Sequence, residues 1–330
     1  MTSRKKPTLI TGGAGFIGSH LAEALLANGT KVTVLDDLST GCAANLTSVS
    51  SHADFAFIEG SVLDEAVVRA AMHGCETVFH LAAAVGVELV VRSPVSTIET
   101  NVHGTETILN AAADSPSVRR VFLASTSEVY GRSEAGRFRE SDDLLIGPPG
   151  VGRWSYAASK LLDEFLALAF CREKGLGTCV TRFFNTVGPR QTGRYGMVLP
   201  RFVAAALRGE PLTVFGDGCQ TRCFCHVEDT VRALLLLADR PNVEGEVFNI
   251  GTGREVSINE LAELVIRQCG SASPVRHIPY EEAYEPGFED MRRRVPDTSR
   301  LEETTGWQAR RCLEDIVCEL RDHVAAREGA

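Results

Sequence analysis

Residues 8–29 read TLITGGAGFIGSHLAEALLANG, and this stretch decides the fold. It begins with apolar and β-branched residues at 8–11, which predict a short buried strand. Beyond a glycine-rich turn, Ile17, Leu21 and Leu25 recur every four residues, a spacing typical of a helix that packs on a sheet. The stretch therefore predicts a strand, a tight turn and a helix in direct succession.

The turn in this stretch carries Gly12, Gly15 and Gly18. Glycine permits a tight turn and the close approach of a pyrophosphate, while the helix N-terminus offers free N–H groups and a positive dipole. Asp36 ends the second predicted strand about 20 residues further on, where a carboxylate accepts hydrogen bonds from an adenosine ribose. Because that carboxylate repels a 2′-phosphate, the pattern favours NAD over NADP. The alternative is that the glycines form only a tight turn and Asp36 caps a loop.

Short β-branched runs alternate with helical patterns, and this alternation predicts parallel βαβ units. The predicted strands are 8–11, 32–35, 55–58, 77–81, 121–125, 178–183 and 245–250. The predicted fold class is α/β, a doubly wound parallel (Rossmann) sheet with a smaller mixed α/β substrate-binding lobe. Residues 1–186 with 225–251 form the predicted NAD-binding domain, and residues 187–224 with 252–330 form the predicted lobe.

Composition excludes several classes of protein. The net charge of −9 argues against a nucleic-acid partner, which requires a basic surface. No apolar run approaches the roughly 18 residues of a membrane span, so we expect a cytoplasmic protein without a membrane contact. The ten cysteines are scattered, which predicts free thiols, and none belongs to a group at metal-ligand spacing, so no metal site is predicted.

The segment YAASK at 156–160 provides candidate catalytic groups. On a helix, Tyr156 and Lys160 are neighbours at i and i+4. A nearby cation favours the phenolate and lowers the pKa of a tyrosine, so Tyr156 could accept a proton from a hydroxyl while hydride leaves the same carbon. The spacing alone also fits a surface lysine beside a packed tyrosine.

Together these residues resemble the extended short-chain dehydrogenase/reductase family, over nearly the whole chain. His80, Asn101 and Thr126, upstream of Tyr156, add to the resemblance. It implies that Thr126 and Tyr156 hydrogen-bond a sugar hydroxyl and that Lys160 holds the nicotinamide ribose. The cofactor-binding residues implied are Gly12, Gly15, Phe16, Ile17, Gly18, Asp36, Asp37, Ser61, Val62, Leu81, Ala82, Ala83, Asn101, Tyr156 and Lys160. At Ser61 the chain departs from relatives that often carry an aspartate for adenine.

Two further stretches resemble the nucleotide-sugar branch of that family. Residues 184–190, FNTVGPR, contain Asn185 and Arg190, and residues 216–222, GDGCQTR, end at Arg222. The resemblance implies that Asn185 and Arg222 contact a diphosphate, and a guanidinium suits phosphate because its planar fork bonds two oxygens. Without the resemblance, Arg222 would be read as a solvated surface cation.

The reaction depends on the residues that follow Thr126. Ser127 and Glu128 resemble the pair in UDP-glucuronate decarboxylases, whereas 4,6-dehydratases typically have Asp-Glu there and 4-epimerases have small neutral residues. Glu128 is the candidate that manages the proton returned to C5, or else it caps the following turn. Similarity to the decarboxylase segment places Arg294 near a sugar carboxylate. The loop at 85–92 lacks the tyrosine often found in decarboxylases, and Arg92 is the candidate that supplies charge there instead.

The sequence therefore predicts an NAD-dependent UDP-glucuronate decarboxylase with a UDP-sugar substrate. The product is UDP-xylose, or a UDP-4-keto-pentose where the ketone is released. The predicted catalytic residues are Thr126, Ser127, Glu128, Tyr156 and Lys160, and the predicted substrate-binding residues are Arg92, Asn185, Arg190, Arg222 and Arg294. The alternatives are a UDP-glucose 4-epimerase, an NDP-glucose 4,6-dehydratase and a non-catalytic NAD-binding protein. By resemblance, the helices near 101–114 and 156–174 pair across a two-fold axis in a homodimer.

Overall fold

The central feature of the computed structural model is a seven-stranded parallel sheet. The structure describes residues 6–86, 93–193, 197–283 and 291–328. Its strand order is β11-β6-β5-β4-β1-β2-β3. The strands are β1 (Thr8–Thr11), β2 (Val32–Asp36), β3 (Phe55–Glu59), β4 (Thr77–His80), β5 (Arg120–Thr126), β6 (Gly177–Phe183) and β11 (Glu246–Ile250). This order confirms the predicted doubly wound Rossmann sheet, and every strand lies within the predicted NAD-binding segments.

Helices cover both faces of the sheet because its strands bury side chains on both sides. The covering helices are α1 (Phe16–Ala27), α2 (Glu65–Met72), α3 (Pro94–Asp114), α4 (Trp154–Lys174) and α6 (Val227–Ala238). In β1, Ile10 belongs to the core that includes α1 and α6, while Leu9 belongs to the core that includes α2 and α3. Alternate strand residues thus face opposite layers.

The lobe is built from short strands and helices around its own core. Its strands are β8 (Leu212–Phe215), β9 (Thr221–Cys223), β12 (Glu255–Ser257), β13 (Val275–Ile278) and β14 (Arg293–Arg294), and β7 (Thr186–Val187) pairs with β10 (Cys225–His226). Its helices are α5 (Val198–Leu207), α7 (Ile258–Cys269), α8 (Tyr280–Ala283) and α10 (Leu313–Glu328). The buried Leu301 of α9 (Ser299–Thr305) instead belongs to the core of the sheet domain that includes α1 and α6. Buried residues of α5, α7 and α10 form one apolar cluster.

Three structural findings bear on the sequence predictions. All ten cysteines are free thiols. Among the described residues, no helix combines the length and the apolar character needed to cross a bilayer, and no group of three or more His, Cys, Asp or Glu side chains is placed to hold a metal ion.

Candidate active site

A cavity of about 1100 Å³ runs across the carboxyl ends of the parallel strands. Residues at the ends of β1, β2, β4, β5 and β6 line it from the sheet side, and residues of the lobe line it from the other side. In open parallel sheets, ligands bind in the crevice outside the carboxyl ends of the strands. The cavity therefore lies where the fold class places a cofactor and a substrate.

The glycine turn shapes the cofactor end of this cavity. Gly12 has φ +70°, and a Cβ atom there would lie 2.7 Å from the backbone N of Ala82. A Cβ atom at Gly18 would lie 2.7 Å from Gly13 Cα. Gly15 is the N-cap of α1, and no side chain caps the helix end there. Phe16, Ile17 and Gly18 of the first turn of α1 line the cavity. Backbone N–H groups in a first helical turn have no partner within the helix, so this arrangement fits a pyrophosphate.

Asp36 lies at the end of β2, on the cavity wall. Its Oδ2 accepts a hydrogen bond from the backbone N of Ala14 at 2.9 Å, and its Oδ1 accepts one from the N of Leu38 at 2.8 Å. Burial raises the pKa of the carboxyl. The backbone of Gly15 is a third donor to this carboxylate. A carboxylate has about four acceptor sites, so acceptor capacity remains for a ribose hydroxyl. Asp36 is thus bonded to the glycine turn, in an arrangement that fits the adenosine ribose of NAD.

The other predicted cofactor residues divide into two groups. Those that line the cavity are Phe16, Ile17, Asp37, Val62, Leu81, Ala82 and Ala83. Ser61 and Asn101 are not among the residues that line it. The Ser61 hydroxyl accepts from the N of Leu63 at 3.2 Å. Buried Asn101 accepts from the N of Ala84 at 2.9 Å and donates to Ser159 Oγ at 3.1 Å, so it fixes the cavity wall from behind.

Behind the glycine turn, His80 joins three elements of the sheet side. Its Nδ1 lies 2.7 Å from Thr11 Oγ1 in β1, and its Nε2 lies 3.2 Å from Thr105 Oγ1 in α3. Burial, and secondarily the charge of Lys160, lowers the pKa of His80 to about 3. A neutral imidazole therefore ties β1, β4 and α3 together beneath the cofactor end.

Tyr156 and Thr126 meet at the centre of the cavity. Tyr156 lies in the first turn of α4, and its phenol hydrogen-bonds the Thr126 side chain at the end of β5. Lys160 lies one turn further on, and its Nζ donates to Asp163 Oδ2 at 2.7 Å in a fully buried ion pair. The structure thus brings together the tyrosine, threonine and lysine that the sequence predicted.

The prediction that Lys160 lowers the pKa of Tyr156 is wrong for this structure. Burial of the phenol raises its pKa well above the ordinary value, and the negative charges of Glu128 and Asp163 add to the rise. The hydrogen bond from Thr126 opposes them. Asp163 neutralises the Lys160 ammonium at contact distance, so the phenol feels little net positive charge from that pair.

Glu128 lies between Arg153 and Arg294, and we call the part of the cavity that these three residues line the sugar end. Its Oε2 lies 3.2 Å from Arg153 NH2, and its Oε1 pairs with Arg294 NH1. Its backbone N donates to Thr126 Oγ1 at 3.2 Å, which fixes the short 3₁₀ turn after β5. Buried Ser127 lies in the same turn and lines the cavity. The Glu128 carboxylate is therefore held by cations.

Arg153, which no sequence motif singled out, precedes α4 and is largely buried. Its position three residues before Tyr156 places it one turn away, on the same side of the helix, and this spacing was the available signal. Missed as well was a group at the far end of the cavity. There the Arg201 guanidinium stacks over Phe215 at 4.9 Å, and Gln220 Nε2 donates to Tyr280 Oη at 3.1 Å.

The predicted substrate residues contribute unequally. Asn185, at φ +37°, donates from Nδ2 to Cys223 O at 2.9 Å and lines the cavity. Arg222 is buried there and donates to Met291 O at 2.8 Å, so it is not a solvated surface cation. Arg190 lines the cavity too, but it binds Glu23 of α1 at 2.6 Å. Arg92 lies outside the described residues.

Comparisons with known proteins agree with this geometry. The model of the NAD dependent epimerase/dehydratase family matches residues 8–251. A UDP-N-acetyl-alpha-D-glucosaminuronate decarboxylase of Bacillus cytotoxicus is 43% identical over 300 residues, which cover 91% of each chain. UDP-glucuronic acid decarboxylase 1 of Xenopus tropicalis is 34% identical over 304 residues, which cover 92% of this chain and 68% of that protein.

Solved structures are also similar to this chain over nearly their full length, and one example is informative. The UDP-glucuronic acid 4-epimerase of Bacillus cereus, in complex with UDP-glucuronic acid and NAD, superposes with a TM-score of 0.87. It is 26% identical, and the match covers 97% of this chain and 99% of that one. The chain is thus similar both to enzymes that remove a carboxylate and to one that keeps it.

Proposed function

Because the chain belongs to the NAD-dependent epimerase/dehydratase family, we propose that it is an NAD-dependent decarboxylase of UDP-linked hexuronates, with UDP-glucuronate as substrate. The observation that carries this proposal is the group formed by Glu128, Arg153 and Arg294 beside Tyr156, where two cations surround one carboxylate. A cationic site next to the catalytic tyrosine suits a sugar that bears a carboxylate.

Oxidation at C4 of the sugar is the first step. NAD, held at the glycine turn and Asp36, supplies a hydride acceptor when bound. The positive charge of bound NAD would lower the raised pKa of Tyr156 and so favour its phenolate, which accepts the proton of the C4 hydroxyl. Thr126 orients that hydroxyl through the hydrogen bond it shares with the tyrosine. Lys160, anchored on Asp163, lies on the same helical face and holds the nicotinamide ribose. The result is a 4-keto sugar whose C5 carboxylate is a β-keto acid.

The β-keto acid formed in the first step then loses its carboxylate as CO2. The bond between C5 and the carboxylate carbon breaks, CO2 leaves, and the electron pair passes into an enolate that the C4 oxygen carries. Arg294 orients the carboxylate before CO2 leaves, and Glu128 controls the delivery of the proton that is added to C5. Return of hydride to C4, with the Tyr156 proton, gives UDP-xylose. Release of the ketone instead gives the UDP-4-keto-pentose.

Glu128 and its neighbour separate this reaction from its rivals. A 4,6-dehydratase expels a hydroxyl and needs an acid, but the buried residue before Glu128 is Ser127. A UDP-glucose 4-epimerase acts on a neutral sugar and does not need two arginines beside the tyrosine. Intact Thr126, Tyr156 and Lys160 in one cavity argue against a non-catalytic NAD-binding protein.

A second candidate substrate is the 2-acetamido sugar, UDP-N-acetylglucosaminuronate. It is favoured by the 43% identity to the Bacillus cytotoxicus decarboxylase, above the 34% identity to the Xenopus tropicalis enzyme. Both substrates present the same C4 hydroxyl and C5 carboxylate to Tyr156 and Arg294. The two candidates therefore share a mechanism and differ only at C2.

The mass of the product tests the proposal. The enzyme is incubated with NAD and each uronate separately, and with UDP-glucose, and the products are analysed by mass spectrometry. We expect loss of CO2 from a uronate and no change in UDP-glucose. The ratio of kcat/KM for the two uronates then selects between the candidate substrates. Loss of water, interconversion of UDP-glucose and UDP-galactose, or unchanged uronates would each reject the decarboxylase.

We propose further that the protein is a homodimer formed through α3 and α4. The two helices contact each other, and their outer faces expose Val95, Ile98, Leu162 and Phe165. Phe165 is 63% exposed, and adjacent exposed apolar residues mark interaction surfaces. Sedimentation equilibrium tests the dimer: we expect twice the chain mass for the parent and dissociation for Phe165→Glu, and a monomeric parent would reject it.

A further inference from the structure

A row of buried polar residues crosses three neighbouring strands of the sheet. Ser125 of β5 is paired in register with Arg182 of β6, and Arg182 is paired with Asn249 of β11. All three residues are buried. Polar groups that are removed from water are costly unless they are hydrogen-bonded. The partners of this row lie on the segments that carry the proposed catalytic residues.

The first partner is Glu164 of α4. Its carboxylate accepts hydrogen bonds from Arg182 Nε at 2.9 Å and from Arg182 NH2 at 2.7 Å, and it accepts another from the Ser125 hydroxyl. Glu164 lies about two turns beyond Tyr156 in the same helix. Ser125 immediately precedes Thr126. These bonds therefore hold the helix that carries the catalytic tyrosine against the strand that ends at Thr126.

The second partner is Tyr130, the last residue of the 3₁₀ turn that carries Glu128. Its hydroxyl accepts a hydrogen bond from Arg182 NH1 at 2.9 Å and donates one to Asn249 Oδ1 at 2.8 Å. Burial raises the pKa of Tyr130 to about 12, so the hydroxyl keeps the proton that it donates. One hydroxyl group thus joins Arg182 and Asn249 to the turn that carries Glu128.

Asn249 extends the network to the lobe. Its Nδ2 donates to Phe138 O at 2.9 Å and to Asp297 O at 3.2 Å. The backbone N of Phe138 donates in turn to Val295 O at 2.8 Å. Val295 is the next residue after Arg294. Asn249 therefore ties the row to the segment of the lobe that carries Arg294.

Resting on the proposed decarboxylase activity, we propose that Arg182 is a positioning residue that aligns the groups of both chemical steps. The helix branch of its network, formed by Glu164 and Ser125, aligns the catalytic tyrosine for oxidation at C4. The turn branch, formed by Tyr130 and Asn249, aligns the groups of the sugar end for loss of CO2 and protonation at C5. Because a misplacement of about 1 Å can cost about 10²-fold in rate, each branch controls the rate of its own step.

Two variants that each delete one buried hydroxyl separate the branches. In a single turnover of the NAD-loaded enzyme with carboxylate-labelled UDP-glucuronate, NADH absorbance reports oxidation and quenched samples report CO2 release. We expect Ser125→Ala to slow NADH formation about tenfold, so that oxidation limits CO2 release. Tyr130→Phe keeps the ring stacked on Phe138. We expect it to form NADH within about twofold of the parental rate and to release CO2 about tenfold more slowly.

Thr178→Val is the matched control. The fully buried Thr178 hydroxyl donates to Ala167 O at 2.8 Å, so it joins the same strand and helix as the pair of Arg182 and Glu164. Neither Thr178 nor Ala167 lines the cavity. We expect urea unfolding to show a loss of stability similar to that of the two test variants, with both rates within about twofold of the parent.

Two further measurements separate positioning from binding. In titration calorimetry with the NADH-loaded enzyme, Kd for UDP-glucuronate should stay within about twofold of the parent in every hydroxyl variant, because the affected residues act on rates. Arg182→Lys keeps the positive charge but not the planar fork that reaches both branches, so we expect it to slow both steps. The hydroxyl variants decide the test even if Arg182→Lys does not fold.

The proposal is overturned if Tyr130→Phe slows NADH formation and CO2 release equally, or if either hydroxyl variant leaves its own step at the parental rate. It is equally overturned if Thr178→Val slows a step to the same extent, since a general loss of stability would then explain the effects. Failure of the proposed function has a different signature, because the parent enzyme itself would then release no CO2.

Discussion

The two ends of the cavity are built in different ways. The cofactor end is formed by the backbone of the turn between β1 and α1, and by Asp36. Asp36 binds Ala14, which is only 22 residues away in the chain. The sugar end is formed by charged side chains from distant segments: Glu128 pairs with Arg153 across 25 residues and with Arg294 across 166. The first is a product of local sequence, and the second exists only once the lobe has docked.

This difference teaches what each end tolerates. Close-packed backbone is sensitive to added atoms, because it cannot move aside without deforming the sheet. A group of buried ion pairs is sensitive to removed charge, because each loss leaves another charge without a partner. Added volume should therefore damage the cofactor end, and lost charge should damage the sugar end.

The largest effect is expected at Tyr156, where the two ends meet. Tyr156→Phe removes the proton acceptor, and general acid–base catalysis contributes up to about 10⁴-fold, so we expect kcat to fall by about 10³-fold or more. Both ends remain intact, so Kd for NAD and for the nucleotide sugar stays within about twofold. Steady-state turnover and titration calorimetry measure these values. A variant as active as the parent would contradict the catalytic role and revive the non-catalytic alternative.

Added volume at Gly18 is the next largest effect. A Cβ atom there meets the backbone of Gly12 and Gly13, so Gly18→Ala must displace the turn. We expect NAD affinity to fall about 100-fold, with a loss of about 1–3 kcal/mol in unfolding free energy from overpacking. Nucleotide-sugar affinity, which depends on the other end, changes little. NAD titration and urea unfolding provide the measurements.

Gly150→Ala is the control for that substitution. A Cβ atom at Gly150 has no heavy atom within 4 Å, so the same chemical change should leave NAD affinity and stability as they are. If Gly18→Ala also left NAD affinity unchanged, the cofactor end would not depend on close backbone contact, and the comparison between the two ends would fail.

A smaller effect concerns the buried imidazole that ties the cofactor end together. The pKa of His80 is lowered to about 3 in the folded protein, chiefly by burial, whereas an unfolded chain has the ordinary value near 6.5. Between these values the unfolded state binds more protons, so this contribution to stability is lost as pH falls below about 6.5. Relative to His80→Gln, the parent should lose about 2 kcal/mol of unfolding free energy between pH 7 and pH 5.

Urea unfolding at both pH values measures that difference. His73→Gln serves as the control, because His73 is exposed, and its stability should follow the parent at both pH values. A parent whose stability relative to His80→Gln does not change with pH would show that His80 takes up a proton in the folded state, with its contacts to Thr11 and Thr105 rearranged.

The contrast between the ends explains how far sequence reasoning reached. Residues 8–36 specify the strand, the glycine turn and the carboxylate by local pattern, and the structure has them in that order. Glu128 and Arg294 came from resemblance alone, since a pair separated by 166 residues leaves no periodicity. Arg153 was missed because a single arginine before a helix is ordinarily a surface cation.

The wrong expectation about Tyr156 has a similar cause. Helical spacing correctly placed the Lys160 ammonium near the phenol, but it carried no information about a counter-ion. Asp163 is three residues beyond Lys160 and completely buried with it. The sequence shows that an aspartate is present. Only the folded structure shows that it is buried beside Lys160 at contact distance.

The smallest effect is expected from breaking that pair. Asp163→Asn removes the negative charge beside Lys160 and leaves the ammonium un-neutralised on the Tyr156 side of α4. The pKa of Tyr156, now raised in part by Asp163 and Glu128, should fall, since an opposite charge favours the phenolate. The acid limb of the kcat/KM profile should therefore move to lower pH by about one unit.

Charges on the other elements around Tyr156 stay constant in this experiment. They belong to Glu128 after β5, Arg153 before α4 and Arg294 of the lobe. His80 of β4 remains neutral. Asp114→Asn is the matched control, because Asp114 pairs with Arg69 on the surface and its loss should leave the profile unchanged. A profile that stays in place in Asp163→Asn would mean that the cofactor, once bound, sets the tyrosine pKa. In that case charged side chains would affect the chemistry at the sugar end alone. A shifted profile would show that they also act at Tyr156, where the two ends meet.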